Sequence, residues 1–193
     1  MYRVNSIDIH LLREKEYLLN IETPFCTFEW LEFLKNNQKG TPVAFELSTD
    51  IGCNGVFVGV IVRKAGIKIL GSPFPGWLTP DMGFIRLGEL DINEAINAVR
   101  KYAFSALKCA FIQIVDKNIR AENLCVKGMH LGTARVLHID NSLESEQVLE
   151  NFSKNGRRDV RAAYRKGVEY RQLPFDRLFA EAYYEQLMDV FEK

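Results

Sequence analysis

Residues 42–70 read P-V-A-F-E-L-S-T-D-I-G-C-N-G-V-F-V-G-V-I-V-R-K-A-G-I-K-I-L. Pro42–Ser48 and Val56–Val62 are rich in β-branched and aromatic residues, and the Gly/Asn turn Gly52–Gly55 lies between them. That pattern predicts an antiparallel hairpin. Ile67–Leu70, after the Ala65–Gly66 turn, reads as a third short strand.

Working outward, Tyr2–Ile9 alternates well enough for a first strand, and Arg13–Ile21 reads as a short helix or irregular turn closed by Pro24. Thr27 is placed to cap a helix through Trp30, Leu31 and Leu34 to Asn36–Asn37, with Gly40 as its stop. Asp91–Leu107 carries apolar residues at three-and-four spacing and predicts a helix, followed by a buried strand over Ala110–Val115. Asn118–Met129 reads as a short helix and turn, and His130–Asp140 as another strand. A helix starts at Ser145–Phe152, and Asn155–Gly156 marks a break before the segment that follows it. Val168–Leu173 reads as a strand and Phe175–Lys193 as an amphipathic helix, inside which the chain stops as though truncated. This order favours an α/β fold with a mixed, largely antiparallel sheet and helices on its faces.

The chain has 193 residues, 47% hydrophobic and 26% charged, which is enough to bury a substantial core. Net charge is +0, so binding to nucleic acid or membrane must be local. No apolar run is long enough to span a bilayer and the amino end does not resemble a signal peptide. The four cysteines, Cys26, Cys53, Cys109 and Cys125, lie far apart, which favours free thiols and a cytoplasmic setting. His10, His130 and His138 lie alone, so no metal site is expected. Dinucleotide, phosphate-loop and nucleophile-elbow motifs are missing. Cys53 between glycines is a conceivable nucleophile, although a tight turn explains it equally well. Asp81 and Glu89 are conceivable acid–base groups beside a loop, and no catalytic residue is assigned.

Charge is most uneven over 151–172. That stretch carries seven Lys/Arg against Asp159 and Glu169, leaving 18 Lys/Arg against 23 Asp/Glu elsewhere. At about 100° per residue, Lys154, Arg157, Arg158, Arg161 and Arg165 share a helical stripe about 100° wide. Either an anion relieves their mutual repulsion or the stripe is a solvated face with Glu partners elsewhere in the fold. A second feature is G-S-P-F-P-G-W-L-T-P at Gly71–Pro80, an ordered loop presenting Phe74 and Trp77. Those rings either plug the edge of the core or form a lip on a binding cleft. On residue chemistry, two classes fit: an enzyme domain holding the phosphates of a ligand, or a non-catalytic nucleic-acid or anion-binding module.

R-R-x-x-R-x-A-x-x-x-G-V across Arg157–Val168, P-F-C-T-F-E-W-L at Pro24–Leu31, and the Pro/Gly/Trp run Gly71–Phe84 together resemble the Fem-type family. That family comprises peptidoglycan-bridge aminoacyltransferases and FemAB/BioF2-like acetyltransferases. The resemblance implies a GNAT-like (acyl-CoA N-acyltransferase) fold, with residues 1–150 a first, degenerate domain and 151–193 the start of a second, truncated one. It implies transfer of an acyl, preferentially acetyl, or aminoacyl group to an amine on a cell-envelope or polysaccharide precursor. Acyl-CoA (acetyl-CoA) or aminoacyl-tRNA would be the donor, bound by the missing second domain, so tRNA is a conceivable partner. Carried onto this chain, Arg157 becomes the leading contact to a phosphate-bearing substrate, with Arg161 and Tyr164 beside it, Lys35 as a second contact, and Trp77 and Phe74 lining the cleft. The pyrophosphate-binding segment expected of a GNAT donor site has its nearest approach at Arg63–Lys68, which fails at the last place. The chain alone is therefore predicted neither to hold acyl-CoA tightly nor to turn over.

Overall fold

A computed structural model of the chain describes residues 2–133, 140, 142–174 and 176–192. Its internal contacts divide it into two units, Met1–Ala134 and Arg135–Lys193.

Among the described residues, the first unit is built on a six-stranded sheet. Strand β1 (Arg3–Ile7) leads through a short 3-10 turn at Ile9–Arg13 to helix α1 (Lys15–Leu18), then to α2 (Phe28–Gln38). Thr27 caps α2 by accepting a hydrogen bond from the Trp30 N–H at 3.3 Å. The helix ends on Lys39, which takes the left-handed turn itself (φ 54°). Gly40 therefore has a different task from stopping the helix. A Cβ there would run into Val60 and come within 3.0 Å of the Trp77 ring, so the glycine permits close packing.

Strands β2 (Thr41–Thr49), β3 (Gly52–Lys64) and β4 (Ile67–Ser72) form the antiparallel meander expected from residues 42–70. The first turn is tighter than Gly52–Gly55, because those residues already belong to β3 and the register slips between Leu47 and Ser48. The second turn places Ala65 (φ 50°) and Gly66 (φ 78°) in the left-handed region that a two-residue hairpin requires. A strand not expected from the sequence, β5 (Gly83–Arg86), pairs with the first half of β3 over Gly55–Val58. Its four residues follow a Pro/Gly-rich run, so local pattern alone hides it. Asp91 caps α3 (Ile92–Ser105), accepting hydrogen bonds from Asn93 and Glu94 N–H at 3.0 and 3.1 Å. Strand β6 (Phe111–Ile114) then returns parallel to β4. The sheet is thus mixed and mostly antiparallel, with helices against its faces.

Alternation along the strands builds two cores. Ala44, Val56, Val58, Val60 and Ile85 face α2 through Phe28, Leu31 and Leu34. Phe45, Leu47, Phe57, Leu70 and Phe84 face α3 through Ala95, Ile96, Val99 and Ala103. Of the helix expected over Asn118–Met129, only a 3-10 turn at Ala121–Asn123 forms. The strand expected over His130–Asp140, with Val136 and His138, falls mostly outside the described residues.

Among its described residues the second unit holds three helices, α4 (Ser145–Glu150), α5 (Lys154–Arg165) and α6 (Arg177–Phe191). Asn155 and Gly156 do not break the chain; they lie in the first turn of α5, because Ser153 caps it and accepts from the Gly156 N–H at 3.1 Å. The carboxyl end of α5 closes on Gly167 (φ 70°), with Gly167 N–H donating to Tyr164 O at 3.0 Å and Val168 N–H to Ala163 O at 3.1 Å. Val168–Leu173 is exposed and forms no strand, since the described residues offer it no ladder partner. None of α4, α5 or α6 contains a buried residue. No helix of the described residues is long and apolar enough to cross a membrane.

Candidate functional site

In α5, helical spacing brings Lys154, Arg157, Arg158, Arg161, Tyr164 and Arg165 around one open surface groove. From Lys154 to Arg165 the stripe runs about 16 Å at 1.5 Å rise per residue. The members are not equivalent. Arg157 is half-buried and turns its guanidinium back, donating from one terminal nitrogen to Glu150 O at 2.7 Å and to Phe152 O at 2.6 Å. It thereby satisfies carbonyls left open where α4 ends, a task cationic side chains suit. Phe152 packs its ring and Cβ 3.4 Å from where a Gly156 Cβ would sit, closing the same corner. Arg158 is tied to its neighbour Asp159 at 3.1 Å. Lys154, Arg161 and Arg165 are exposed and have no hydrogen-bond or ion-pair partner among the described residues. The Tyr164 ring stands beside them, 76% exposed.

Of the residues singled out in the sequence, Arg157, Arg161 and Tyr164 therefore share one helix. Arg157, the leading phosphate contact by resemblance, has part of its donor capacity committed to the α4 end. Lys35 stands exposed on α2 in the first unit, also without a partner among the described residues. Phe74 and Trp77 belong to the loop after β4, their ring centroids 5.2 Å apart. Trp77 packs against the first core and over Gly40, so the ring has a structural task whatever else it touches.

A polar centre with no counterpart in the sequence pattern lies where β4 and β5 part along one edge of β3. The buried Ser72 hydroxyl donates to Val58 O and accepts from the Gly83 N–H at 2.8 Å. Asp116, also buried, accepts from Phe84 N–H at 3.0 Å and Asn118 N–H at 2.8 Å. Burial pushes the Asp116 carboxyl above the usual carboxylate range, against the two N–H donors and nearby Arg86. Gly83 (φ 104°) makes room: a Cβ there would overlap the Asp116 side chain. These contacts span up to 32 residues of sequence, so no local motif announces them. Their donors and acceptors satisfy one another, which makes this centre a clasp for the divided edge.

The other candidate groups lie in the first unit. Burial raises the Cys53 thiol above its ordinary value, the reverse of what a nucleophilic thiolate needs. Burial, with the nearby Asp116 and Asp81 carboxylates, pushes Cys26 up to about 12. Asp81 is half-buried with one oxygen unpartnered, and Glu89 is exposed. No group of three metal-ligating side chains occurs among the described residues. Arg63–Lys68 is the β3–β4 hairpin turn, not a loop at a helix start, so its N–H groups do not converge as an acyl-CoA pyrophosphate requires. No family model, curated protein or solved structure matches this chain.

Proposed function

We propose that this chain holds a phosphate-bearing substrate on α5, as part of an N-acyltransferase of the FemAB/BioF2-like type. One observation carries the reading: Lys154, Arg161 and Arg165 share a face of α5 with no partner among the described residues. Clustered cations repel, and a phosphate accepting charge-assisted hydrogen bonds relieves that repulsion. The mixed, mostly antiparallel sheet flanked by helices supports the acyltransferase part of the reading, and so do the three sequence resemblances. The reaction would move an acyl or aminoacyl group to an amine on a cell-envelope or polysaccharide precursor. Within this chain α5 would bind and orient the acceptor, while acyl-CoA or aminoacyl-tRNA would be held by residues other than Arg63–Lys68.

Calorimetric titration with inorganic pyrophosphate tests the binding part. Arg161→Ala/Arg165→Ala should lose at least tenfold in affinity with an unchanged thermal midpoint, since exposed charges contribute little to stability. A double variant that binds as the parent does would sink the reading.

A non-catalytic nucleic-acid contact is the second reading, favoured by one measure. The stripe's length of about 16 Å exceeds a single diphosphate. Salt dependence separates the two, because neutralising some six backbone phosphates costs about a thousandfold in affinity between 50 and 200 mM salt. A compact diphosphate gives a much shallower slope.

A further inference from the structure

The cations of α5 have counterparts in the same unit. At about 100° per residue, Lys154, Arg158, Arg161 and Arg165 fall within about 60° of one another, and on α6 and its C-cap Glu181, Glu185, Asp189 and Glu192 fall within about 80°. The α6 aromatic and aliphatic residues Phe179, Tyr183, Leu187 and Val190 occupy the opposite side. The two charged stripes share a period. Laid antiparallel, Arg165 meets Glu181, Arg161 meets Glu185, Arg158 meets Asp189 and Lys154 meets Glu192, with no pair more than one residue out of register. In the structure these charges are otherwise engaged or idle. Arg158 holds Asp159, Glu181 holds Arg177 at 2.6 Å, and Glu185 and Glu192 have no partner among the described residues. Every described residue of α6 is exposed.

We infer that α6 docks its acidic stripe antiparallel on the basic stripe of α5 in the same chain, and that this contact competes with the phosphate ligand. The competition rests on the phosphate-binding reading; the pairing itself does not. Three considerations select the same-chain helix as occupant. Charge complementarity is position by position. Residues 166–176 between the helices reach about 36 Å when extended, well beyond the gap between antiparallel neighbours about 10 Å apart. A tether also raises the effective concentration of α6 into the millimolar range, which a second copy would match only in concentrated solution. Single exposed ion pairs are weak, so the contact depends on four acting together and on the tether. That weakness suits a reversible cover: a ligand presenting several phosphate oxygens displaces carboxylates one pair at a time. Arg157, held by the α4 carbonyls, stays out of the exchange and keeps α5 in place throughout.

Two measurements on the 193-residue chain test this. Carbodiimide coupling at low salt converts contacting lysine–carboxylate pairs to isopeptide bonds, and the Lys154–Glu192 bond should be found by mass spectrometry in the monomer fraction. It should disappear in saturating inorganic pyrophosphate and in about 0.5 M salt, where the screening length falls below about 5 Å. Calorimetry should show the Glu181→Gln/Glu185→Gln/Asp189→Asn/Glu192→Gln variant binding pyrophosphate about fivefold more tightly than the parent, because the open form no longer has a competitor. Phe179→Ala/Leu187→Ala should leave both results unchanged, since those side chains lie off the acidic stripe. Absence of the linkage together with equal affinities overturns the inference, and linkage confined to a dimer fraction assigns the contact to a second copy and overturns the same-chain assignment. Linkage in a monomer whose parent and neutralised forms both ignore pyrophosphate upholds the pairing and overturns the phosphate reading.

Discussion

The two units of this chain spend their side chains in opposite ways. In Met1–Ala134, β3 alternates Val56, Val58 and Val60 against one core with Phe57 against the other, and the buried polar groups Ser72 and Asp116 are satisfied in place. In Arg135–Lys193 no described helix buries a residue, and α5 and α6 carry their charges in stripes. The contrast separates stability from recognition. Burial supplies the free energy that holds the first unit, whereas exposed charge adds almost nothing to folding.

Substitutions can break that contrast or sharpen it. The largest effect is expected at the first unit's core: Phe57→Ala should cost about 3–5 kcal/mol in urea denaturation, from lost transfer energy and the cavity left behind. Leu187→Ala on α6 should stay below about 0.5 kcal/mol, because the side chain leaves no cavity. Equal losses at the two positions would show α6 to be packed. Next comes Gly83→Ala, which forces a Cβ into Asp116 at a positive φ and should cost on the order of 2–4 kcal/mol. Arg157→Ala should cost about 1–2 kcal/mol, since two carbonyls at the end of α4 lose a charged donor, while Arg161→Ala costs almost nothing. Circular dichroism during denaturation distinguishes the pair.

The smallest effect is a pH dependence. Asp116 has a folded pKa above its unfolded value, so its stabilising contribution is complete below the unfolded value and is lost as pH rises through the raised folded one. Denaturation midpoints of the parent should therefore climb as pH falls through the window just above the ordinary carboxylate range. Asp116→Asn should flatten that slope, while lowering stability overall because an amide cannot accept from both Phe84 and Asn118 N–H groups with its nitrogen side. Thiol labelling gives a parallel check: Cys125 is exposed and should react at once with iodoacetamide, whereas Cys26, buried and pushed up to about 12, should react only on unfolding.

Residues 42–70 are legible because strand alternation and the Ala65–Gly66 turn are local signals that the sheet reinforces. Thr27 is legible as a helix cap for the same reason, whereas the cap at Asp91 emerges only in the structure. Strand β5 is not, since four residues after a Pro/Gly-rich run acquire strand character only by pairing with β3. Val168–Leu173 has the pattern of a strand without being one, because apolar alternation needs a neighbouring ladder. Asn155–Gly156 has the composition of a break, yet the hydroxyl of Ser153 captures the Gly156 N–H and starts the helix earlier. At the candidate site, the stripe of α5 is plain from periodicity, but the division of labour within it is not. Arg157 differs from its neighbours only through the carbonyls of Glu150 and Phe152, which the fold brings within hydrogen-bond distance.

Elements whose signals repeat over a few residues were therefore readable from the amino-acid sequence: the β2–β3–β4 meander, the cap of α2, the apolar periodicity of α3, and the cationic face of α5. Tertiary structure alone decided what depends on distant partners. It divided the edge of β3 between β4 and β5 and buried Asp116 against Phe84 across 32 positions. The physical reason is range. Backbone propensity and side-chain periodicity act within a helical turn or a strand, whereas burial and hydrogen-bond satisfaction are settled only when remote segments meet.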